Sequence, residues 1–215
     1  MARPLRDKAY NEISDEIAAG TTAPGSVLNE RGIAERFGMS RTPAREVLLK
    51  LSSAGLVRLA PRRGAVVLGL SAAEVVAMVE VLVALEGEAV SLAARRMSTD
   101  ERNRLAAQYA AATESVARMS PYDYSENNRT FHSMIYAGSR NEFLAAEIQA
   151  LRLRLAPYLR HSLVRTERLQ SSHAEHGEIV SAICGHNEVA AVRAIRSHIL
   201  NGGNLFADML ARLER

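Results

Sequence analysis

Pro43, inside "MSRTPAREVLLKL" (residues 39–51), restricts what this chain can fold into more than any other residue. Proline lacks an N–H and clashes with the preceding turn, so a helix tolerates it only in its first turn. The helix must therefore open at Ser40, a residue type that suits an N-cap, with Arg41, Thr42 and Pro43 as its first turn. Ala44, Val47, Leu48 and Leu51 then form an apolar underside, while Arg41 and Arg45, four residues apart, share another face. Such a helix is either a solvated surface element or a reader of DNA. Its neighbours decide between the two.

Upstream, "DKAYNEISDEIAAG" repeats Ala9, Tyr10, Ile13 and Ile17 with helical period and stops at Gly20. "TTAPGSVL" is a turn, and "NERGIAERFG" is a short helix capped by Asn29 and ended by Gly38. Two short helices joined by "FGMS" predict a helix-turn-helix. Downstream, "LVRLA" and "AVVLG" are β-branched runs around "PRRG", which predicts a hairpin tipped by Arg62, Arg63 and Gly64. Three helices followed by a basic hairpin make a winged helix over residues 1–69.

Charge agrees with that division. Residues 1–69 carry 11 Lys/Arg against 7 Asp/Glu, whereas the remaining 146 carry 16 against 17. A positive excess confined to one end is what a module facing phosphates needs. The single cysteine, Cys184, excludes a disulfide framework and fits a reducing compartment. "MARPLRDKAYNEI" lacks the apolar core of a secretory signal, and no apolar run is long enough for a bilayer. A cytoplasmic protein without a membrane partner is expected.

Residues 70–215 read as an all-helical bundle of six or seven helices, giving a mainly α chain overall. Ser71 with Glu74 and Ser98 with Glu101 write capping boxes. A helix is expected from about residue 123 to 137. Another carries Pro157 in its interior, where a kink is expected. Ser172 with Glu175 predicts a further helix start, Gly185 a stop, and Asn187 the last cap. The run "VVAMVEVLVAL" is apolar almost all round, suiting a central core helix, a homodimer interface, or both.

Of six histidines, three fall on separate helices of this bundle: His132, His176 and His198. His132 follows Asn128 by four residues, placing both on one helix face. Imidazoles converging from different helices are a recurrent way to hold zinc and its neighbours, although a histidine alone is more often a hydrogen-bonded core residue.

"LNERGIAERFGMSRTPAREVLLKLSSAGLVRLAPRRGAVV" resembles the DNA-binding domain of the GntR family of bacterial transcription regulators. The resemblance implies a backbone contact for Arg31 and recognition-helix contacts for Ser40, Arg41, Thr42 and Arg45. Arg41 or Arg45 would read guanine through a bidentate fork to O6 and N7. It also places Arg63 and Gly64 at a wing tip close to the minor groove. "NRTFHSMIYAGSRNEFL" and "HAEHGEIVSAICGHNEVAAVRAIRSHI" resemble the ligand-sensing FCD-type domain of the FadR subfamily. Many members hold a divalent metal through Asp-x3-His and two later histidines, positions matched here by Asn128, His132, His176 and His198. Asn128 stands where aspartate is usual and brings an amide oxygen without charge. Leu82 stands where an arginine is frequent, four residues before the match to Glu86.

The resemblance therefore implies a homodimeric regulator, most often a repressor in this family, that binds a palindromic operator in double-stranded DNA. It also implies a small organic-acid effector, with Arg152 and Arg154 as candidate anchors, and a divalent metal, zinc or nickel by the imidazole donors. Two other classes fit parts of the pattern. A metal-dependent hydrolase could use the three histidines but leaves the winged helix unexplained, and a constitutive DNA binder would need no ligand pocket.

Overall fold

The computed structural model describes residues 2–61, 63–159 and 166–213. The chain divides into two compact units, Met1–Glu74 with Arg152–Pro157, and Val75–Leu151 with Tyr158–Arg215.

The first unit runs α1 (Ala2–Ala19), β1 (Val27–Leu28), α2 (Glu30–Phe37), α3 (Arg41–Ser53), β2 (Val57–Ala60) and β3 (Gly64–Val67). The Asn29 side chain caps α2 by accepting from the Gly32 N–H at 2.8 Å. Gly38 ends α2 in the left-handed region at φ 62°, turning the chain directly into α3. Ile13 and Ile17 of α1, Ile33 of α2, and Val47, Leu48 and Leu51 of α3 meet in one core over Val57 and Val67 of the sheet. Each large aliphatic side chain buried there contributes roughly 1.5–3 kcal/mol. The unit does not rest on its charges: exposed pairs such as Arg6–Glu46 at 2.7 Å add little.

The sheet differs from the sequence expectation. It has three strands in the order β1-β3-β2, all antiparallel, with Val27 opposite Val66 and Val57 opposite Val67. β1 is two residues long, too short to show alternation in sequence, and forms because the free edge of β3 offers it hydrogen-bonding groups.

The second unit contains most of α4 (Ala72–Arg96), then α5 (Thr99–Thr113), a 3-10 turn (Val116–Arg118), α6 (Pro121–Gly138), most of α7 (Glu142–Leu159), α8 (Thr166–Cys184) and α9 (Glu188–Leu213). Both expected capping boxes form. The Ser71 N–H donates to Glu74 at 2.8 Å and the Ser98 N–H to Glu101 at 2.7 Å, with the reciprocal bonds also present. α6 opens slightly earlier than the sequence suggests, because Ser120 caps it through the Asp123 N–H at 3.1 Å. Pro157 lies near the C-terminal end of α7.

One expected helix start is wrong. Ser172 and Glu175 cap nothing, since α8 runs unbroken from Thr166 and Ser172 is buried in its interior. Leu169, Ser172, His173 and His176 share one inward face, so burial of that face overrides the local Ser-x-x-Glu signal. Elsewhere in the unit the buried Arg102 donates to the carbonyls of Ala94 at 2.8 Å and Ile183 at 3.2 Å. Those carbonyls belong to the last turns of α4 and α8, where a cation is favoured.

Candidate functional site

In the first unit, the N-terminal ends of α2 and α3 and the β2–β3 turn enclose a groove of about 800 Å³. Arg31, Arg41, Arg45 and Arg63 line it, with Gly64 and the acidic Glu30. All four arginines are exposed. Two have carboxylate neighbours, Glu35 at 2.7 Å from Arg31 and Glu30 at 3.8 Å from Arg45. Pairs this exposed are worth little and exchange readily for phosphate oxygens. The groove thus offers a helix N-terminus, whose dipole favours anions, beneath a ring of guanidinium groups.

Ser40 occupies the N-cap position of α3 with extended backbone, yet its hydroxyl makes no capping hydrogen bond. Part of the reason lies three residues on. The cap oxygen would accept from the second or third N–H of the helix, and the third residue is Pro43, which has none. The exposed hydroxyl of Ser40 and the exposed Thr42 therefore face outward beside Arg41. At the other wall, Gly64 has φ +90°, and a Cβ there would fall 2.2 Å from the Leu28 carbonyl oxygen. Glycine is required at this turn by both conformation and space. Arg62 lies outside the described residues.

In the second unit, α6 supplies Asn128 and His132, α8 supplies His176, and α9 supplies His198. One nitrogen of each histidine lies within 4.8 Å of the others. Their exposures are 1, 2 and 8 %, so the cluster is sealed from bulk water. Phe131 stacks on His176 with centroids 4.1 Å apart, fixing that ring's plane.

Two acids stand behind the histidines, Glu86 buried and Glu175 partly buried. Glu86 of α4 comes within 3.3 Å of His132 Nδ1, and Glu175 of α8 within 2.7 Å of His198 Nδ1. Burial alone would push the Glu175 carboxyl up, but hydrogen bonds from His198 and Arg168 outweigh it and hold it below the ordinary carboxylate range. Facing this carboxylate, His198 donates from Nδ1, and the neutral ring then carries its lone pair on Nε2. Carboxylates behind metal-facing imidazoles are the usual way such rings are oriented.

Asn128 lies one helical turn before His132 on α6. Its Oδ1 is buried and has no hydrogen-bond partner. An unsatisfied buried carbonyl costs about 1–3 kcal/mol, a cost that coordination of a cation would offset. Three imidazoles plus an orphaned amide oxygen fit a divalent metal of the zinc or nickel type. Nearby, burial holds the Tyr124 phenol up at about 12, so it stays a neutral hydroxyl beside His176, 6.4 Å away between ring centroids.

Arg152 and Arg154, the candidate effector anchors, lie on α7. Their segment of α7 groups with the first unit, where the Arg154 guanidinium packs against Gly55. The sequence reading, in turn, missed the roles of Glu86 and Glu175. Glu86 had a legible signal, because it extends the buried stripe Val75, Val79, Leu82 at helical spacing. Glu175 had none, since its local pattern imitates a cap.

A winged helix carrying a basic groove, in a chain that also holds a helical unit with a buried histidine cluster, defines the class of a ligand-responsive DNA-binding regulator. Residues 5–67 match the family described as "Bacterial regulatory proteins, gntR family", and residues 77–201 match the FCD domain. The chain belongs to the GntR family of transcription regulators, with an FCD ligand-sensing domain. Over 197 residues it is 24% identical to the HTH-type transcriptional repressor RspR of Escherichia coli, covering 92% of this chain and 86% of the relative. Over 83 residues it is 41% identical to an uncharacterized HTH-type regulator from the TAR-I ttuE-ttuC' intergenic region of Agrobacterium vitis. That second match covers 39% of this chain and 48% of the relative. The solved structure of E. coli McbR/YncC superposes with a TM-score of 0.81 at 21% identity, covering 98% of this chain and 99% of that one. No described helix is long and apolar enough to cross a membrane.

Proposed function

We propose that this chain is a cytoplasmic, non-enzymatic repressor that binds a palindromic operator as a homodimer and releases it when an organic acid binds the FCD domain. On this reading residues 1–69 act as the DNA-binding module and residues 70–215 as the sensing and dimerising module. The groove lined by Arg31, Arg41, Arg45 and Arg63 carries the reading. Arg45 and Arg41 address bases, Arg31 and Ser40 the backbone, and Arg63 with Gly64 the minor groove. Val76 and Val81 remain 41 and 49 % exposed on α4, which supports a dimer formed through that helix. A two-fold dimer would match a two-fold operator.

Asn128, His132, His176 and His198 would hold a zinc or nickel ion in the sensing domain. When bound, the metal supplies a Lewis-acidic site for an effector carboxylate. The chain's own groups orient the imidazoles, exclude water and present Tyr124 as a neutral donor. Effector binding changes DNA affinity only through its differential affinity for the operator-bound and released states. The hydrolase alternative gains no support from the relatives, which are transcription regulators.

A thermal-shift screen of sugar acids, dicarboxylates and fatty-acid derivatives, with and without added zinc, tests this directly. Hits should then weaken binding to an operator selected from random DNA. A chain that selects an operator but shifts with no acid under either condition is a constitutive binder, and the effector reading is wrong.

A further inference from the structure

Behind the histidine cluster lies a second layer that the ligand set alone does not explain. Arg168 of α8 grips Glu175 with both ends of its guanidinium, Nη1 to Oε1 at 3.0 Å and Nη2 to Oε2 at 3.1 Å. Asn201 of α9 donates to Oε1 at 3.1 Å, and His198 Nδ1 lies 2.7 Å from Oε2. The Arg168 and Glu175 side chains are only 10 and 16 % exposed. Each carboxylate oxygen therefore meets two nitrogen neighbours. Arg168 and the Asn201 amide can only donate, and a carboxylate so engaged can only accept from the remaining one. His198 must then present N–H at Nδ1, and in the neutral ring the lone pair is left on Nε2.

We propose that Arg168, acting through Glu175, is a positioning residue for the metal cluster: it locks Glu175 so that His198 is held as the Nδ1–H tautomer, with Nε2 available to a metal. The proposal rests on the reading of the histidines as a metal site. It makes the metal affinity of this chain depend on a residue that touches neither metal nor effector. An ordinary ion pair tying α8 to α9 would instead matter for stability and leave the tautomer unaffected.

The amide variant Glu175→Gln separates the two. Arg168 would claim the single amide oxygen, turning the NH₂ group toward His198 and forcing Nδ1 to accept. The ring would switch to Nε2–H and lose its ligand lone pair. Long-range proton–nitrogen correlation spectra of the metal-free, full-length protein, with ¹⁵N-labelled histidine, read the tautomer directly. We expect Nδ1–H in the wild type and Nε2–H in Glu175→Gln. Competition against a chromophoric chelator should show zinc binding weakened about 10–100-fold in Glu175→Gln and in Arg168→Met, the usual range for outer-layer partners. Arg168→Lys keeps the charge without the fork and should recover part of that loss. Circular dichroism verifies that each variant is folded, and a variant that unfolds is replaced by the more conservative one at the same site.

An unchanged tautomer in Glu175→Gln, or zinc affinity within about twofold of wild type in both Glu175→Gln and Arg168→Met, overturns the proposal, since outer-layer partners ordinarily matter more. Wild-type protein that takes up no zinc overturns the metal reading itself and this proposal with it. Wild-type uptake with unaffected variants overturns only the role of Arg168.

Discussion

The groove of the first unit and the histidine cluster of the second are both polar sites, built on opposite physical terms. The groove arginines are exposed, and their carboxylate neighbours face solvent at 2.7–3.8 Å. The cluster histidines are 1–8 % exposed and backed by the buried Glu86 and the partly buried Glu175. Exposed charges interact weakly, are screened by salt and can change partner at small cost. Buried polar groups are costly unless every one is satisfied. The groove's charges can therefore change partner freely, whereas the cluster tolerates only an arrangement that satisfies its polar atoms.

The sharpest way to break that contrast is at the cluster. His132→Ala or His198→Ala should abolish zinc and nickel binding, a loss of at least about a hundredfold, because a three-histidine site does not survive on two. Asn128→Asp should tighten binding by adding a charge. Chelator competition on the purified variants measures both, and near-wild-type affinity in His198→Ala would remove that residue from the site.

Next in size is the turn that shapes the groove. Gly64→Ala combines a positive φ with a Cβ only 2.2 Å from the Leu28 carbonyl, so it should cost about 3 kcal/mol of stability. Denaturant unfolding of the full chain measures it, and a change below about 0.5 kcal/mol would mean the wing relaxes freely. Within the groove, Arg45→Ala should cost about 1–3 kcal/mol on the selected operator and relax preference at one position per half-site. Equal loss on specific and random DNA would show Arg45 to be a backbone contact.

The two units should also differ with pH. His173 stacks on Tyr109 at 4.4 Å and is held below its ordinary value of 6.5 by burial. Its folded value lies below its unfolded one, so its contribution is present above pH 6.5 and is lost as pH falls through the folded value. In the first unit, the hydrogen bond from Arg36 holds Glu16 below 4.5, so that contribution persists until pH falls under the carboxylate range. Hydrogen exchange between pH 7 and 5 should therefore show α8 losing protection before α1, with His173→Gln reducing the difference. Simultaneous loss in both would contradict the assignment. The smallest effect is expected from Arg31→Ala, which should weaken all DNA sequences alike and lower the salt slope by about one. A sequence-selective loss would instead make Arg31 a base reader.

Legibility in the sequence followed the same contrast. Pro43 dictated where α3 begins, and Asn29, Ser71 and Ser98 announced their helices, because caps and prolines act within one turn of chain. The groove was readable for that reason: its arginines sit at ends of elements whose positions local signals fix. β1 was not, since its two residues become a strand only when β3 lies alongside. Nor was the idle hydroxyl of Ser40 anticipated, although Pro43, which removes one of its two possible donors, was in plain view.

The sequence by itself determined the family, the winged helix, the helical character of the second unit and which histidines were worth watching. Periodicity and motif spacing are short-range properties that a linear text retains. Only the tertiary structure decided that Ser172 is buried mid-helix, that Glu175 braces His198 instead of capping α8, and that Glu86 backs His132. It also decided that the segment carrying Arg152 and Arg154 groups with the first unit. Those facts depend on which helix faces meet across 23 to 46 residues of separation. That meeting is set by the packing of whole apolar faces, to which no single residue's local pattern is a guide.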